Sequence, residues 1–231
     1  MSEQIRQGSS RVDGPLVKVC GLRRPEDVAL CEELGVDWTG FIFYPPSPRN
    51  VSPDHVAALP RGRAARVGVF VLQTAEEVRE IMDQADLDLA QLHGGQDRRF
   101  CEKVGPERVV KVFWPLRYPN LADLERDMGA FASSCRAVLL DAGTAVGGHG
   151  VSLDFPSLAR LTFPRPWLLA GGLSPDNIQE ALGRCRPWGV DLNSGVEEAP
   201  GRKSSVLLRK VMERIKAMPS ELSKSKSKSK S

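Results

Sequence analysis

Residues 16–34 read LVKVCGLRRPEDVALCEEL, an apolar run followed at once by a helical pattern. Pro25 stands at a first helical position with two acidic residues behind it, which is typical of a helix start. The run before it has the length and apolar content of a buried strand. The stretch therefore predicts one β-strand followed by one α-helix, with Cys20 where the chain leaves the strand.

The same pattern returns seven more times along the chain. The further apolar runs are VDWTGFIF, ARVGVFV, LDLAQLHG, RVVKVFW, RAVLLD, PWLLAGG and GVDLNSG. A helical pattern follows each run, with Ser52 as a predicted N-cap and Thr74 with Glu77 as a predicted capping box. Continuous apolar strands are typical of a parallel sheet covered by helices. Eight such units predict a closed (β/α)₈ TIM barrel, and a doubly wound open sheet with fewer strands is the alternative.

We assign the barrel to residues 15–218 as a single domain. Residues 1–14 are mostly polar, and residues 219–231 end in the alternating stretch SKSKSKSKS. Such compositions bury too little apolar surface to fold. They predict a disordered N-terminal arm and a disordered lysine–serine tail.

The composition excludes several classes of protein. Hydrophobic residues make up 41% and charged residues 26% of the 231, as in ordinary globular proteins. The four tail lysines exceed the whole net charge of +3, so the barrel has no basic excess that would indicate nucleic acid binding. No apolar run is long enough to cross a membrane, and the polar N-terminal stretch lacks the apolar core of a signal peptide. The five cysteines lack the paired spacing of disulfide frameworks or zinc sites, so we expect a cytoplasmic protein without a metal.

Chemically useful residues follow several of the predicted strands. In a barrel of this class the active site lies at the carboxyl ends of the strands. Glycines after strands 7 and 8 let backbone N–H groups approach an anion, and these two loops are the recurrent phosphate site of such barrels. A weaker candidate is the stretch GGHG at 147–150, a flexible loop after strand 6 that we expect to cover the site. The residues predicted to meet at this rim are Cys20, His93, Asp141 and Asp191, with Gly171, Gly172, Ser194 and Gly195 as the phosphate loops.

The motifs VKVCGL, GFIFYPPSPRNVS, QLHG, LLDAG with GGHG, LAGGLSPDN and GVDLNSGVE with PGRK occur in this order. Together they resemble phosphoribosylanthranilate isomerase of tryptophan biosynthesis, from about Leu16 to Met218. The resemblance implies a (β/α)₈ barrel without metal or organic cofactor. It also implies the Amadori rearrangement of a small phosphosugar substrate, N-(5′-phosphoribosyl)anthranilate, by acid–base catalysis.

The resemblance also implies roles for individual residues. Cys20 corresponds to the general base and Asp141 to the general acid, while Arg49 corresponds to the residue that holds the anthranilate carboxylate. His93 would orient the substrate or cap its loop, and Asp191 would bind ribose hydroxyls or fix the phosphate loop. The simpler alternatives are a buried core thiol at Cys20, a turn cap at Asp141 and a solvated loop arginine at Arg49.

Four positions depart from the family pattern. Arg23 replaces a usual threonine, the glycine loop carries His149 and Val151 where the family has threonine and lysine, and Ser204 replaces a common acid. These changes concern loop contacts and substrate affinity rather than the type of reaction. We expect a monomer, with a homodimer as the alternative.

Two other functions fit a barrel of this kind. One is a related phosphosugar enzyme, either the histidine-pathway isomerase or a ribulose-phosphate epimerase. Cys20 at strand 1 argues against the first, which pairs two aspartates, and the single histidine His93 at a strand end argues against the metal-binding epimerases. The other is a barrel without activity that binds acidic partners through its tail, although a solvated appendage fits the lysine–serine composition better.

Overall fold

The computed structural model describes residues 14–141 and 155–218. Eight parallel strands close into one barrel in the chain order β1 to β8, and β8 pairs with β1 to complete it. This confirms the predicted (β/α)₈ barrel. The strands are β1 Leu16–Val19, β2 Trp38–Phe43, β3 Ala65–Phe70, β4 Leu89–Leu92, β5 Val109–Phe113, β6 Ala137–Asp141, β7 Trp167–Ala170 and β8 Gly189–Leu192.

Helices alternate with these strands around the barrel. They are α1 Pro25–Leu34, α2 Pro53–Ala58, α3 Ala75–Gln84, α4 Arg98–Val104, α5 Leu121–Ala130, α6 Phe155–Leu158, α7 Ile178–Cys185 and α8 Ser205–Lys216. Short 3₁₀ turns cover Pro106–Arg108, Pro115–Arg117 and Ser194–Val196, and a small antiparallel hairpin of β9 Glu197–Ala199 and β10 Arg202–Lys203 follows β8.

The helix starts follow the capping chemistry that the sequence predicts. Ser52 accepts a hydrogen bond from the backbone N–H of His55, and Pro25 opens α1. Thr74 and Glu77 form a complete capping box, in which each side chain accepts from the other residue's backbone N–H. Ser204, one of the departures from the family pattern, caps α8 by accepting from the N–H of Leu207.

The buried apolar residues form two clusters. The larger one joins every second strand residue to the helices. The smaller one contains strand residues and Trp188 but none from a helix, so its strand side chains fill the barrel interior. This inner cluster includes Leu16, Leu89, Ala137 and Leu139. Because side chains alternate along a strand, the residues two and four positions after Leu16 or Leu89 also point into the barrel.

Several predictions lie outside the described residues: the disordered arm, the lysine–serine tail, the GGHG loop and His149. Within the described part of the chain no helix is long and apolar enough to span a bilayer, the longest being α8 with 12 residues.

Candidate active site

The strand period of two stacks polar residues above the apolar filling of the barrel. One step beyond Leu16, Leu89 and Gly189 lie Lys18, Gln91 and Asp191, which are all buried. A further step reaches the rim of the barrel at its carboxyl end. There the same alternation places Cys20 after β1, His93 after β4, Trp114 after β5 and Asp141 at the end of β6.

A buried ion pair lies directly beneath the rim. The Lys18 Nζ donates to Asp191 Oδ2 at 2.8 Å, and the two side chains are only 1% and 6% exposed. Burial opposes the charged ammonium, but the Asp191 carboxylate and the Cys20 thiol hold the pKa of Lys18 above its usual value. Asp191 Oδ1 is buried and has no hydrogen-bond partner among the described residues. This oxygen can therefore accept a hydrogen bond from a ligand hydroxyl.

Cys20 lies next to this ion pair and is 4% exposed. Its backbone N–H donates to the carbonyl of Leu192, which fixes the start of the loop after β1 against β8. Burial raises the pKa of the Cys20 thiol, although the Lys18 ammonium and, more weakly, Lys203 act against it. In the free protein, burial therefore outweighs the neighbouring positive charge in its effect on the pKa of Cys20.

The opposite side of the rim carries a histidine and an aspartate. His93 Nε2 lies 3.5 Å from Asp141 Oδ2, at the outer limit of a hydrogen bond. The imidazole packs against the Trp114 ring edge to face, and Arg117 covers that ring at 4.0 Å. Burial lowers the pKa of His93 although Asp141 acts in the other direction, so the imidazole is neutral near pH 7. His93 can therefore orient a ligand without adding a charge.

Arg49 is held by a carboxylate from the loop after β8. Its Nε and Nη2 donate to Glu197, with the shortest contact at 2.6 Å. The same carboxylate accepts from Lys203 Nζ at 2.9 Å and from the backbone N–H of Gly201. Burial acts against ionisation, but these hydrogen bonds from Arg49 and Lys203 hold the pKa of Glu197 below its usual value. Arg49 is thus oriented in advance, with its side chain 19% exposed.

We predict that the loops after β7 and β8 form a phosphate cradle, and their backbone geometry bears on this prediction. Gly171 and Gly172 have φ of 104° and 64°, in the region that favours glycine. Asn177 fixes their loop by donating to the carbonyl of Gly172 and accepting from the N–H of Ser174. Ser194 and Gly195 open the 3₁₀ turn after β8, where a backbone N–H has no intrahelical acceptor. These groups can bind an anion with backbone donors.

The structure brings Cys20, His93 and Asp141 to one rim, with Asp191 in the layer directly beneath it. Arg49 lies close to Cys20, since a Cβ added to the next residue, Gly21, would meet Arg49 Cδ at 2.7 Å. Sequence reasoning missed Lys18, Glu197 and Lys203. The signal for Lys18 was a lone lysine inside an apolar strand. The polar loop around Glu197 and Lys203 carried no comparable signal, because their partners are far away in the sequence.

A cavity among the described residues does not contain the proposed catalytic groups. It measures about 560 Å³ and lies between the loops after β1, β2 and β8, lined by Arg23, His55 and Arg202 among others. We place the active site on the converging titratable side chains instead, because reactions need those groups. No three His, Cys, Asp or Glu side chains within 14–141 and 155–218 cluster in a way that could hold a metal ion.

Comparison with known families matches residues 17–214 to the family described as N-(5′-phosphoribosyl)anthranilate (PRA) isomerase. A relative of that name from Maridesulfovibrio salexigens is 51% identical over 188 residues, which cover 81% of this chain and 92% of the relative. One from Desulfovibrio desulfuricans is 54% identical over 190 residues, which cover 82% and 90%.

Two solved structures that are similar to this chain are of the same family. The phosphoribosyl anthranilate isomerase of Thermotoga maritima superimposes with a TM-score of 0.76 at 32% identity, covering 88% of this chain and all of the other. A second structure holds an isomerase in complex with reduced 1-(o-carboxyphenylamino)-1-deoxyribulose 5-phosphate. It superimposes with a TM-score of 0.71 at 32% identity, again over 88% of this chain. The similarity extends from β1 to α8.

Proposed function

This chain belongs to the N-(5′-phosphoribosyl)anthranilate isomerase family, and we propose that Cys20 and Asp141 are its general base and general acid. The enzyme converts N-(5′-phosphoribosyl)anthranilate to 1-(2-carboxyphenylamino)-1-deoxyribulose 5-phosphate in tryptophan biosynthesis. The observation that carries the residue assignment is the position of the two side chains at the carboxyl ends of β1 and β6 of one closed barrel.

The reaction needs two proton transfers on the sugar. Asp141 protonates the furanose ring oxygen, the nitrogen lone pair forms a double bond to C1, and the bond from C1 to this oxygen breaks to leave a free hydroxyl and a protonated imine. Cys20 then removes the proton from C2, and the electron pair moves to give an enolamine that tautomerises to the ketone. An anion at Cys20 is costly in a buried site, which is why the positive charges around it matter.

Other residues bind the substrate in this proposal. Asp191 accepts a ribose hydroxyl on its buried, unpaired Oδ1, and His93 orients the sugar as a neutral imidazole. Arg49, with its planar guanidinium, holds the anthranilate carboxylate. The phosphate binds at the cradle of Gly171, Gly172, Ser194 and Gly195. The positive φ of the first two and the open turn at the last two support this.

Substitution of the two proton-transfer groups tests the proposal. We expect Cys20→Ser to lower kcat by about 10²–10⁴-fold, because a hydroxyl is a far weaker base than a thiol near neutral pH. Asp141→Asn, which removes the proton donor, should cost at least as much. Neither change should lower the free energy of unfolding by more than about 2 kcal/mol, because each nearly preserves shape.

Matched controls separate chemistry from folding. Cys101→Ser changes a buried thiol beside the helix layer, and Asp83→Asn changes an exposed aspartate on α3. Both should turn over freshly prepared substrate like the parent enzyme. A Cys20→Ser enzyme within about fivefold of parental kcat would remove Cys20 from the chemistry.

We also propose that the enzyme acts as a monomer in the cytoplasm. All proposed site residues come from one chain, so the site needs no second copy. All five cysteines are free thiols, which fits a reducing compartment. Light scattering of the purified protein tests the first point, and a dimer at working concentration would overturn it.

A further inference from the structure

Lys18 is an unusual residue for the middle of a barrel strand. It belongs to β1, whose four residues are all buried, and its own exposure is 0%. Lysine is almost never fully buried unless it is paired, because removing an ammonium from water is costly. The roles proposed above for substrate binding and proton transfer do not use it. A group retained at such a cost calls for a physical account.

The space beside Gly40 is bordered by both Lys18 and the Cys20 thiol. A Cβ built on Gly40 would lie 2.9 Å from Cys20 Sγ, 3.0 Å from Cys20 Cα and 3.1 Å from Lys18 Nζ, so the sulfur and the ammonium border the same small space. Gly40 is not among the glycines with positive φ, so its backbone does not require glycine. What this position requires is room.

The other positive charges near Cys20, on Arg49 and Lys203, are paired with a carboxylate. Arg49 and Lys203 both donate to Glu197, which takes up much of their positive charge. Lys18 has one carboxylate partner, Asp191. The charged and titratable groups that face this region come from six elements: Lys18 on β1, Arg49 after β2, His93 after β4, Asp141 on β6, Asp191 on β8 and Lys203 on β10.

We propose that Lys18 is a positioning residue that stabilises the Cys20 thiolate, and that Asp191 competes with the thiolate for the same ammonium. The proposal deepens the assignment of Cys20 as the general base and rests on it. Lys18 acts on the sulfur in this proposal and exchanges no proton with the substrate. When Asp191 accepts a substrate hydroxyl, its negative charge is partly satisfied by that donor, and more of the Lys18 charge is available to the sulfur.

This arrangement predicts opposite effects for two substitutions. Lys18→Met removes the cation and should move ionisation of Cys20 to higher pH. By contrast, Asp191→Asn removes the competing anion and should move it to lower pH. A merely structural ion pair would not give shifts of opposite sign, because loss of either partner would disturb the packing in the same way.

The ultraviolet absorbance of the thiolate measures this ionisation. The measurement does not depend on enzyme activity, and no reagent has to reach the buried sulfur. Each variant is titrated beside the same variant carrying Cys20→Ser, so that the difference belongs to Cys20 alone. We expect the midpoint of Lys18→Met to rise by about one pH unit, which is about tenfold less thiolate at a fixed pH. Equal midpoints for the parent and Lys18→Met, or shifts of the same sign for Lys18→Met and Asp191→Asn, would overturn the proposal.

A second variant covers the case in which Lys18→Met does not fold. Gly40→Ala keeps both groups and inserts a methyl between them, so its midpoint should also rise, and an unchanged midpoint would refute the contact. The assignment of the base fails by a different result, namely an active Cys20→Ser enzyme. Thiolate titration and turnover therefore test the two proposals separately.

Discussion

Glu197 is the residue at which the loops after β2 and β8 meet. Its carboxylate is 4% exposed and accepts hydrogen bonds from Arg49, Lys203 and the backbone of Gly201. Arg49 is therefore held in place before a substrate arrives. Such preorganisation saves the entropy that a free arginine would lose on binding.

Replacement of Arg49 should mainly weaken substrate binding. We expect Arg49→Ala to raise KM at least about tenfold with kcat nearly unchanged, because a grip on the carboxylate acts equally in the ground and transition states. Arg209→Ala is the matched control. Arg209 makes a similar two-pronged pair with Glu33, but on the surface, and its loss should leave KM unchanged. Steady-state kinetics of both variants test this prediction. A KM of Arg49→Ala equal to that of the parent would show that Arg49 does not bind the substrate.

Single residues differ in how readily the sequence shows their role. Cys20 and Asp141 follow apolar strands, so the strand-end rule of barrels locates them without a structure. Lys18 and Glu197 escape that rule. Their partners, Asp191 and Arg49, lie 173 and 148 positions away, and only the closed barrel makes them neighbours. Charge pairing over such separations leaves no local pattern to read.

At the scale of elements, the loops after β7 and β8 interlock. A Cβ on Gly195 would meet the carbonyl oxygen of Leu173 at 2.1 Å, and this atom belongs to the backbone of the neighbouring loop. Gly172 differs, since a Cβ there meets no atom within 4 Å and only its positive φ resists substitution. The proposed cradle therefore needs glycine for close backbone contact at Gly195 and for backbone conformation at Gly172.

Gly195→Ala should thus distort the cradle. We expect loss of the thermal stabilisation that inorganic phosphate gives the parent protein, because a ligand stabilises only the state that binds it. The control is Gly183→Ala on the exposed face of α7, where added Cβ meets open space and should stabilise the helix by about 0.5–1 kcal/mol. If phosphate raised the melting temperature of Gly195→Ala as much as that of the parent, the cradle would lie elsewhere.

Elements with strong local chemistry were predictable. The capping box at Thr74 and the cap at Ser52 are confirmed because both depend on residues three apart. The hairpin of β9 and β10 was not predicted. It has three and two residues and no apolar alternation, and it is held by the buried contacts of Glu197 and Lys203 rather than by its own sequence.

At the scale of the whole molecule, four of the five thiols are buried within the larger core cluster, which joins the strands to the helices. Burial raises the pKa of Cys31 and of Cys135 to about 12 and that of Cys101 to about 11. Unfolding exposes them, and they then ionise from about pH 9. Between these values the unfolded state binds fewer protons than the folded state, so stability falls as the pH rises.

We therefore expect an alkaline loss of stability that these thiols cause. Between about pH 8 and about pH 10 the three together should cost about 3–4 kcal/mol. A triple variant with alanine at Cys31, Cys101 and Cys135 is less stable at every pH because of its cavities, but it should lose less over that interval. Denaturant titrations at both pH values measure the two losses. Equal losses in parent and variant would assign the alkaline effect to other groups.

The ion pairs Lys18–Asp191 and Arg49–Glu197 join the start of the barrel to its end, so they also determine at what point of synthesis the site can form. A chain emerging from the ribosome presents Cys20 and later Asp141, but Asp191, Glu197 and Lys203 come only near the end. Until β8 docks beside β1, Lys18 has no carboxylate and Arg49 has no anchor. Truncated products of interrupted translation that lack β8 and the hairpin after it should therefore contain the proposed proton-transfer groups in an inactive form.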